Sequence, residues 1–472
     1  MLTLGAVVQA LGGPALGLDQ PITGSFIDSR QTMPGGLFVA LAGEQADGHD
    51  FVGDAFQRGA AAAIVERELA GEWNLVDLRP GHPGLDPAGI APPVALLVPN
   101  ALVALQQLAA HWRRQLDVRV IGITGSVGKS TTKELTAEVL SRRFRTLKSP
   151  GNLNNEIGLP LTLLELGLDH ERAVLEMGFY VPGEISLLCD LSLPHIGVVT
   201  NVSQVHLERA GSLEAIVAGK SELVENLPPA PEGVAILNYD EPLVREMAAK
   251  TQARVFYYGL APEAELSASE VEGLGLEGIR FLLHYEGETL HVRVPLLGRH
   301  SVHTVLRAAA VGLAEGLAWQ EIIAGLQSPQ AQLRLVAVNG PDGALILDDT
   351  YNAAPASTLA ALNLLEELEG RRVAVLGDML ELGDFEERGH RMVGARVAQM
   401  ADLLVVIGVR ARWIAEEARR SGMPDERIRE LTDSDQAIEL LRKEVGAGDV
   451  VLVKASHGAR LDRVVAELEV PA

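Results

Sequence analysis

Between Val118 and Leu140, in VRVIGITGSVGKSTTKELTAEVL, an apolar run passes into a glycine-bracketed loop with Lys129 and Ser130, then into a helix-forming segment. Glycines let successive backbone N–H groups turn toward one anion, and a helix N-terminus behind them adds its dipole. In such a loop Lys129 would neutralise the outer phosphates of a nucleotide and the Ser130 hydroxyl would ligate Mg²⁺. The spacing departs from the general Walker pattern: five residues before Gly128 stands Ile123, and the nearer glycine is Gly125. The plain alternative is an ordinary glycine turn between strand and helix. Strand, loop, Lys-Ser and helix in that order favour phosphate binding.

Two further strand-like runs end in side chains able to hold a metal. RAVL is followed by Glu176, and HIGVVTN leads to His206 in NVSQVHLE. Either alone reads as structural, a solvated carboxylate or a packed histidine. Beyond a phosphate loop, the pair reads as a metal site. Lys220, in IVAGKSELVENL, would by default be a solvated helix lysine pairing with Glu222. Cys189, the single cysteine, sits in the apolar EISLLCDLSLP and reads as a small buried hydrophobe rather than a nucleophile.

The elements that must position these residues are α/β throughout. VRVIGI, RAVLEMG, HIGVVTN and GVAILNYD are near-continuous apolar runs spaced by helical segments, the pattern of a parallel sheet covered on both faces. In open sheets of that kind ligands bind at the carboxyl ends of the strands, where all three candidate groups fall. EGIRFLLHYEGETLHVRVPLLG reads as antiparallel strands joined by a turn, and HTVLRAAAVGLAEGL as a helix. The alternation then restarts with GALILDDTYNAAP, RRVAVLGDML, DLLVVIGV and DVVLVKASHG. The first hundred residues mix short apolar runs with glycine turns and end in a Pro/Gly-rich stretch before the helical ALVALQQLAAHWRRQL. Three domains are expected, 1–98, 99–314 and 315–472.

Of 472 residues, 47% are hydrophobic and 22% charged, a composition with material for several cores. Forty basic against 63 acidic residues give a net charge of −23. That balance argues against nucleic-acid and anionic-membrane partners, which need a positive footprint. No lysine or arginine precedes Arg30 and no apolar run approaches a bilayer's thickness, so neither a secretory signal nor an integral membrane segment is expected. The expectation is a cytoplasmic protein, and a monomer.

TGSVGKSTTKE, GNLNNEIGLPLTLL, LEMG, NVSQVHLE, LLGRHSVHTVLRAAAVG, DDTYNAAPAS and AVLGDMLELG together resemble, in order, the Mur ligases. DSRQTMPGGLFVALAGEQADGHDF resembles their UDP-sugar-binding domain, and the likeness covers nearly the whole chain. GDMLELG and DDTYNAAP point to the branch whose substrates are UDP-N-acetylmuramoyl-tripeptide and D-alanyl-D-alanine. The resemblance implies a UDP-sugar-binding domain, a central ATP-binding domain and a C-terminal Rossmann-like domain. It also implies ATP and Mg²⁺ as cofactors, and an amide made through an acyl phosphate. Onto matching positions it carries ATP phosphates at Thr124, Gly125, Ser126, Val127, Gly128, Lys129, Ser130 and Thr131. Further nucleotide contacts fall to Arg334 and Asp349, and UDP-substrate contacts to Ser29, Arg30 and Asn155. Mg²⁺ falls to Ser130, Glu176, His206 and Lys220, the last as a carbamate. Lys129, Lys220, Glu176 and His206 would be catalytic. Two departures stand out. Ser301 and Thr304 occupy positions where relatives carry Asn, which leaves the adenine contacts open, and Ala354 replaces another Asn. The readings set against this one are another ligase of the superfamily, such as a folylpolyglutamate synthetase-like enzyme, and a P-loop nucleotide switch. The N-terminal segment opposes the first, and the lack of a guanine-reading Asn-Lys-x-Asp motif opposes the second.

Overall fold

The computed structural model describes residues 1–14, 17, 19–43, 46–81, 91–204, 207–328 and 335–470. His206 and Arg334 lie outside the described residues. The chain is α/β in three domains, each built on its own sheet. By internal contacts it forms two compact units. The first comprises Met1–Gly122, Phe144–Gly178 and Glu184–His195; the second comprises Ile123–Arg143, Phe179–Gly183 and Ile196–Ala472.

In the first unit, five strands between Ser25 and Leu97 pair parallel in the order Ser25–Phe26, Leu37–Val39, Ala62–Val65, Val94–Leu97, Asn74–Asp77. The strands Ala62–Val65 and Val94–Leu97 are buried along their whole length, as parallel strands covered on both faces must be. The expected helix runs from Ala101 to Arg113, with the Asn100 side chain accepting from the Val103 amide at its start. Arg113 closes it from inside. Its guanidinium is buried and donates to the carbonyls of Ser192 (2.7 Å), Val118 (2.8 Å) and Leu116 (3.0 Å). The strand Arg172–Glu176 pairs parallel with Thr146–Lys148. Cys189 is buried in the helix Glu184–Ser192, as its apolar setting implied.

In the second unit, Ile196–Val199, Val234–Asn238, Arg254–Gly259 and Leu266–Gly273 pair parallel in succession. The hairpin Ile279–Tyr285 with Glu288–Val294 extends the row antiparallel. The last sheet places Leu345–Asp349, Asp449–Lys454, Arg371–Gly377, Leu403–Ile407 and Ile428–Leu431 parallel, with Val336–Asn339 antiparallel at one edge. Its apolar runs divide by the period of two. Leu347, Ala374, Leu376, Leu404 and Val406 feed one core, while Ile346, Val373, Val375, Val405 and Ile407 feed the other. Helices cover both faces, so every residue of such a run is buried.

Candidate active site

The phosphate-type loop follows the strand Arg119–Thr124 and opens the helix Lys129–Leu140. Gly125 and Gly128 both take positive φ, 140° and 84°. Much of the loop's hydrogen bonding goes to Thr200–Ser203, just past the strand Ile196–Val199. The Ser126 amide donates to the Asn201 carbonyl (3.0 Å) and the Val127 amide to Asn201 Oδ1 (3.0 Å). Thr200 Oγ1 and Asn201 Nδ2 donate to the Val127 carbonyl at 2.7 and 2.9 Å, and the Ser203 amide donates to Ser126 Oγ. The amides of Ser126 and Val127 therefore fix the loop's shape. An anion at the start of the helix Lys129–Leu140 would be met by first-turn amides, which in any helix lack an intrahelical acceptor. Lys129 folds back over the loop, its Nζ donating to the carbonyl of Gly125 (2.8 Å). Thr124 and Ser130 are buried beside it.

Lys220 lies on the helix Leu213–Glu225, started by Ser212 Oγ accepting from the Ala215 amide. It is 1% exposed, so the solvated-lysine alternative does not hold. Glu222, its supposed partner, instead accepts from the Gly183 amide. The Lys220 Nζ sits 5.0 Å from the centre of the Phe179 ring. That ring packs so tightly on the helix that a Cβ at position 219 would come within 1.8 Å of it, which is why glycine precedes the lysine. Burial first, and the charge of Lys129 second, hold the Lys220 amine well below the usual lysine range. The structure thus brings Lys129 and Lys220 into one electrostatic neighbourhood.

Glu176 ends the strand Arg172–Glu176 and is 2% exposed. Its Oε1 accepts from Asn154 Nδ2 (2.9 Å), and its amide donates to Ser149 Oγ (3.2 Å). Asn154 is thus a supporting residue that sequence reading missed. Asn155, the one singled out, spends its Oδ1 on the amides of Gly158 (2.9 Å) and Ile157 (3.3 Å) at the start of the helix Gly158–Leu164. Two adjacent asparagines in GNLNNEIG gave no signal as to which does what. Among the described residues no three His, Cys, Asp or Glu side chains converge on a point. Glu176 in the first unit and Ser130 in the second each offer an oxygen of the hard kind that Mg²⁺ takes, an ion that uses few protein ligands and shares its shell with phosphate and water.

Asp349 ends the strand Leu345–Asp349 and accepts from Lys454 Nζ (2.6 Å). Lys454, 2% exposed, also donates to the Asn352 carbonyl (2.8 Å), tying the DDTYN segment to the neighbouring strand. Ser29 is buried in the short helical turn Ser29–Gln31, whereas the Arg30 side chain is exposed and paired with Asp28 (2.7 Å). At the two positions set apart by the family resemblance, Ser301 Oγ donates to the Leu297 carbonyl (2.7 Å) and Thr304 Oγ1 accepts from Arg307 (3.2 Å).

The chain matches three family descriptions: Mur ligase family catalytic domain over residues 21–113, Mur ligase middle domain over 123–312, and Mur ligase glutamate ligase domain over 333–457. It is 36% identical to the UDP-N-acetylmuramoyl-tripeptide–D-alanyl-D-alanine ligase of Bacillus subtilis, over 95% of this chain and 93% of that one. The chain belongs to the Mur ligase family. Among solved structures, MurF from Acinetobacter baumannii superposes with a TM-score of 0.84 at 31% identity, covering 99% of this chain and 98% of that one. MurF from Thermotoga maritima in complex with ADP gives 0.77 at 27% identity, over 94% and 96%. As a Mur ligase the chain is an ATP- and Mg²⁺-dependent amide-forming enzyme. No helix among the described residues is long and apolar enough to cross a membrane.

Proposed function

We propose that this Mur ligase joins D-alanyl-D-alanine to the terminal carboxylate of UDP-N-acetylmuramoyl-tripeptide. The observation that carries the reading is the match, over nearly its whole length, to a ligase named for that reaction. The two lysines gathered beside a phosphate-type loop are consistent with it. A carboxylate is a poor electrophile; bound ATP·Mg²⁺ supplies the phosphoryl group that makes it an acyl phosphate open to the dipeptide's amine. The chain's own residues have four tasks. The first-turn amides after Gly128 and the Lys129 ammonium neutralise phosphate charge. Ser130, Glu176 and Lys220, with His206, hold the metal, and Asn154 fixes the Glu176 carboxylate. Asp349, Arg334 and the residues around them meet the nucleotide. Ser29, Arg30 and Asn155 meet the UDP-linked substrate.

On this reading residues 1–98 hold the UDP-sugar and 99–314 hold ATP, while 315–472 close over ATP and bind the dipeptide. One chain carries all three sets, so it acts as a monomer. It works in the cytoplasm, where ATP and a UDP-linked substrate meet. The test is coupling. ADP and phosphate should appear rapidly only when UDP-muramoyl-tripeptide and D-alanyl-D-alanine are both present. Fast turnover of ATP with neither, or with an unrelated acceptor alone, would overturn it. Lys129→Ala should lower turnover by about 100-fold or more, through loss of charge stabilisation at the transferring group. Glu176→Ala should both slow turnover and raise the Mg²⁺ needed for half-maximal rate. An unchanged Mg²⁺ requirement would return Glu176 to a structural role.

A further inference from the structure

Arg307 lies in the run HTVLRAAAVG, on the helix Val302–Ala314, among small and apolar neighbours. It is 4% exposed. Its Nε donates to the His303 carbonyl (2.8 Å) and its Nη2 to Thr304 Oγ1 (3.2 Å). Its Nη1 has no hydrogen-bond partner among the described residues, and no carboxylate figures among the charges that act on it. A guanidinium taken out of water with neither counter-ion nor a full set of acceptors is a costly arrangement, one that proteins rarely keep without a use.

Its position shows what completes it. A Cβ at Gly128 would meet Nη1 at 3.2 Å, Nη2 at 3.6 Å and Cζ at 3.9 Å, so the guanidinium lies against the Gly128 Cα. Gly128 starts the phosphate-loop helix. Beyond the guanidinium the Tyr258 ring is centred 6.0 Å from Cζ, and that ring is buried too. Any anion cradled by the first turn after Gly128 therefore comes next to a fixed, unneutralised cation. A base or ribose acceptor could satisfy the spare hydrogen bond but would leave the charge unanswered, whereas a phosphate oxygen answers both.

We propose that Arg307 is a second fixed cation of the phosphate site, its Nη1 donor held for a phosphate oxygen of the bound nucleotide. Thr304 serves this arrangement by orienting Nη2. The proposal rests on reading 124–131 as the phosphate loop, so its test must separate the two ideas. ADP and adenosine affinities are measured with Mg²⁺ on the full chain, for wild type, Arg307→Met, Arg307→Lys and Lys129→Ala. One charge-assisted hydrogen bond implies a 10- to 100-fold weaker ADP affinity for Arg307→Met, adenosine affinity within twofold of wild type, and an intermediate value for Arg307→Lys. The melting temperature of Arg307→Met should be equal or higher, because an unpaired buried charge has been replaced by an apolar chain of similar shape. If Arg307→Met does not fold, the same comparison is read on Arg307→Gln. ADP affinity unchanged in the Arg307 variants but lost in Lys129→Ala overturns the proposal and leaves the loop reading standing. Equal losses for ADP and adenosine also overturn it, placing Arg307 in the shape of the base pocket. ADP affinity unchanged in Lys129→Ala as well overturns the loop reading itself.

Discussion

Lys220 is the residue whose chemistry the structure changes most. A free lysine at neutral pH is almost wholly protonated and can neither attack CO₂ nor sit beside a metal without repelling it. Here burial and the Lys129 charge favour the neutral amine, the form that adds CO₂. The carbamate so formed would offer two anionic oxygens of the hard kind Mg²⁺ prefers, and it would reverse the sign of the repulsion with Lys129. Three outcomes are expected. Lys220→Ala should lose about 100-fold or more of turnover. A short carboxylate such as formate should restore part of it by filling the vacated oxygen positions. Wild type supplied with ¹³C-bicarbonate should show a carbamate carbon resonance that Lys220→Ala lacks. A near-normal rate in Lys220→Ala would sink the idea, whatever the spectrum shows.

At the scale of elements, the helix Ala101–Arg113 is held more by its last residue than by its propensity. Arg113 takes the carbonyls of Leu116 and Val118, just past its own helix, and that of Ser192 at the end of the helix Glu184–Ser192. Arg113→Ala should orphan all three at once and destabilise the first unit by about 3–5 kcal/mol, read as a lower urea midpoint. A loss under about 1 kcal/mol would mean that water replaces the guanidinium. What was legible in the sequence follows the same division. Runs such as VRVIGI and DLLVVIGV could be read as strands because both faces are covered, and the loop because its glycines and Lys-Ser are contiguous. The strand Leu266–Gly273 was not foreseen. It is polar over its second half and its register shifts between Ser269 and Glu272, so no alternation marks it. The clamp of Thr200 and Asn201 on the loop, Asn154 on Glu176 and Arg307 against Gly128 were equally invisible. Each joins positions far apart in the chain or chosen only by packing, and one sequence carries no record of that. The burial of Lys220 belongs here too, since a helix lysine reads the same whether it faces solvent or an aromatic ring.

For the molecule as a whole, acid is the condition that sets its strongest local and global terms against each other. At pH 7 the chain carries a net charge of −23, and acidification relieves that self-repulsion. That relief is spread over a solvated, salt-screened surface. The opposing term is local and specific. His303, half-buried, is held down to about 4 by burial and then Arg307; His300 is also lowered, but it is exposed, so solvent screens most of that shift. His390 is lowered as well, mainly by burial. Its Nε2 accepts from the Met379 amide (3.0 Å) while Nδ1 bonds the Glu386 carbonyl (2.7 Å), so protonation would cost it the Met379 bond. The sign follows from linkage. The unfolded chain binds these protons from about pH 6.5 downward while the folded chain refuses them, so stability falls through the window from 6.5 to 4. By pH 5, His303 should have removed up to about 2 kcal/mol, and solvent-screened His300 well under that. Urea unfolding at pH 7.5 and pH 5.0 should show the midpoint falling, the drop persisting in 0.5 M salt, and His303→Asn reducing it substantially. A midpoint that rises on acidification would mean that relief of the overall charge outweighs these histidines.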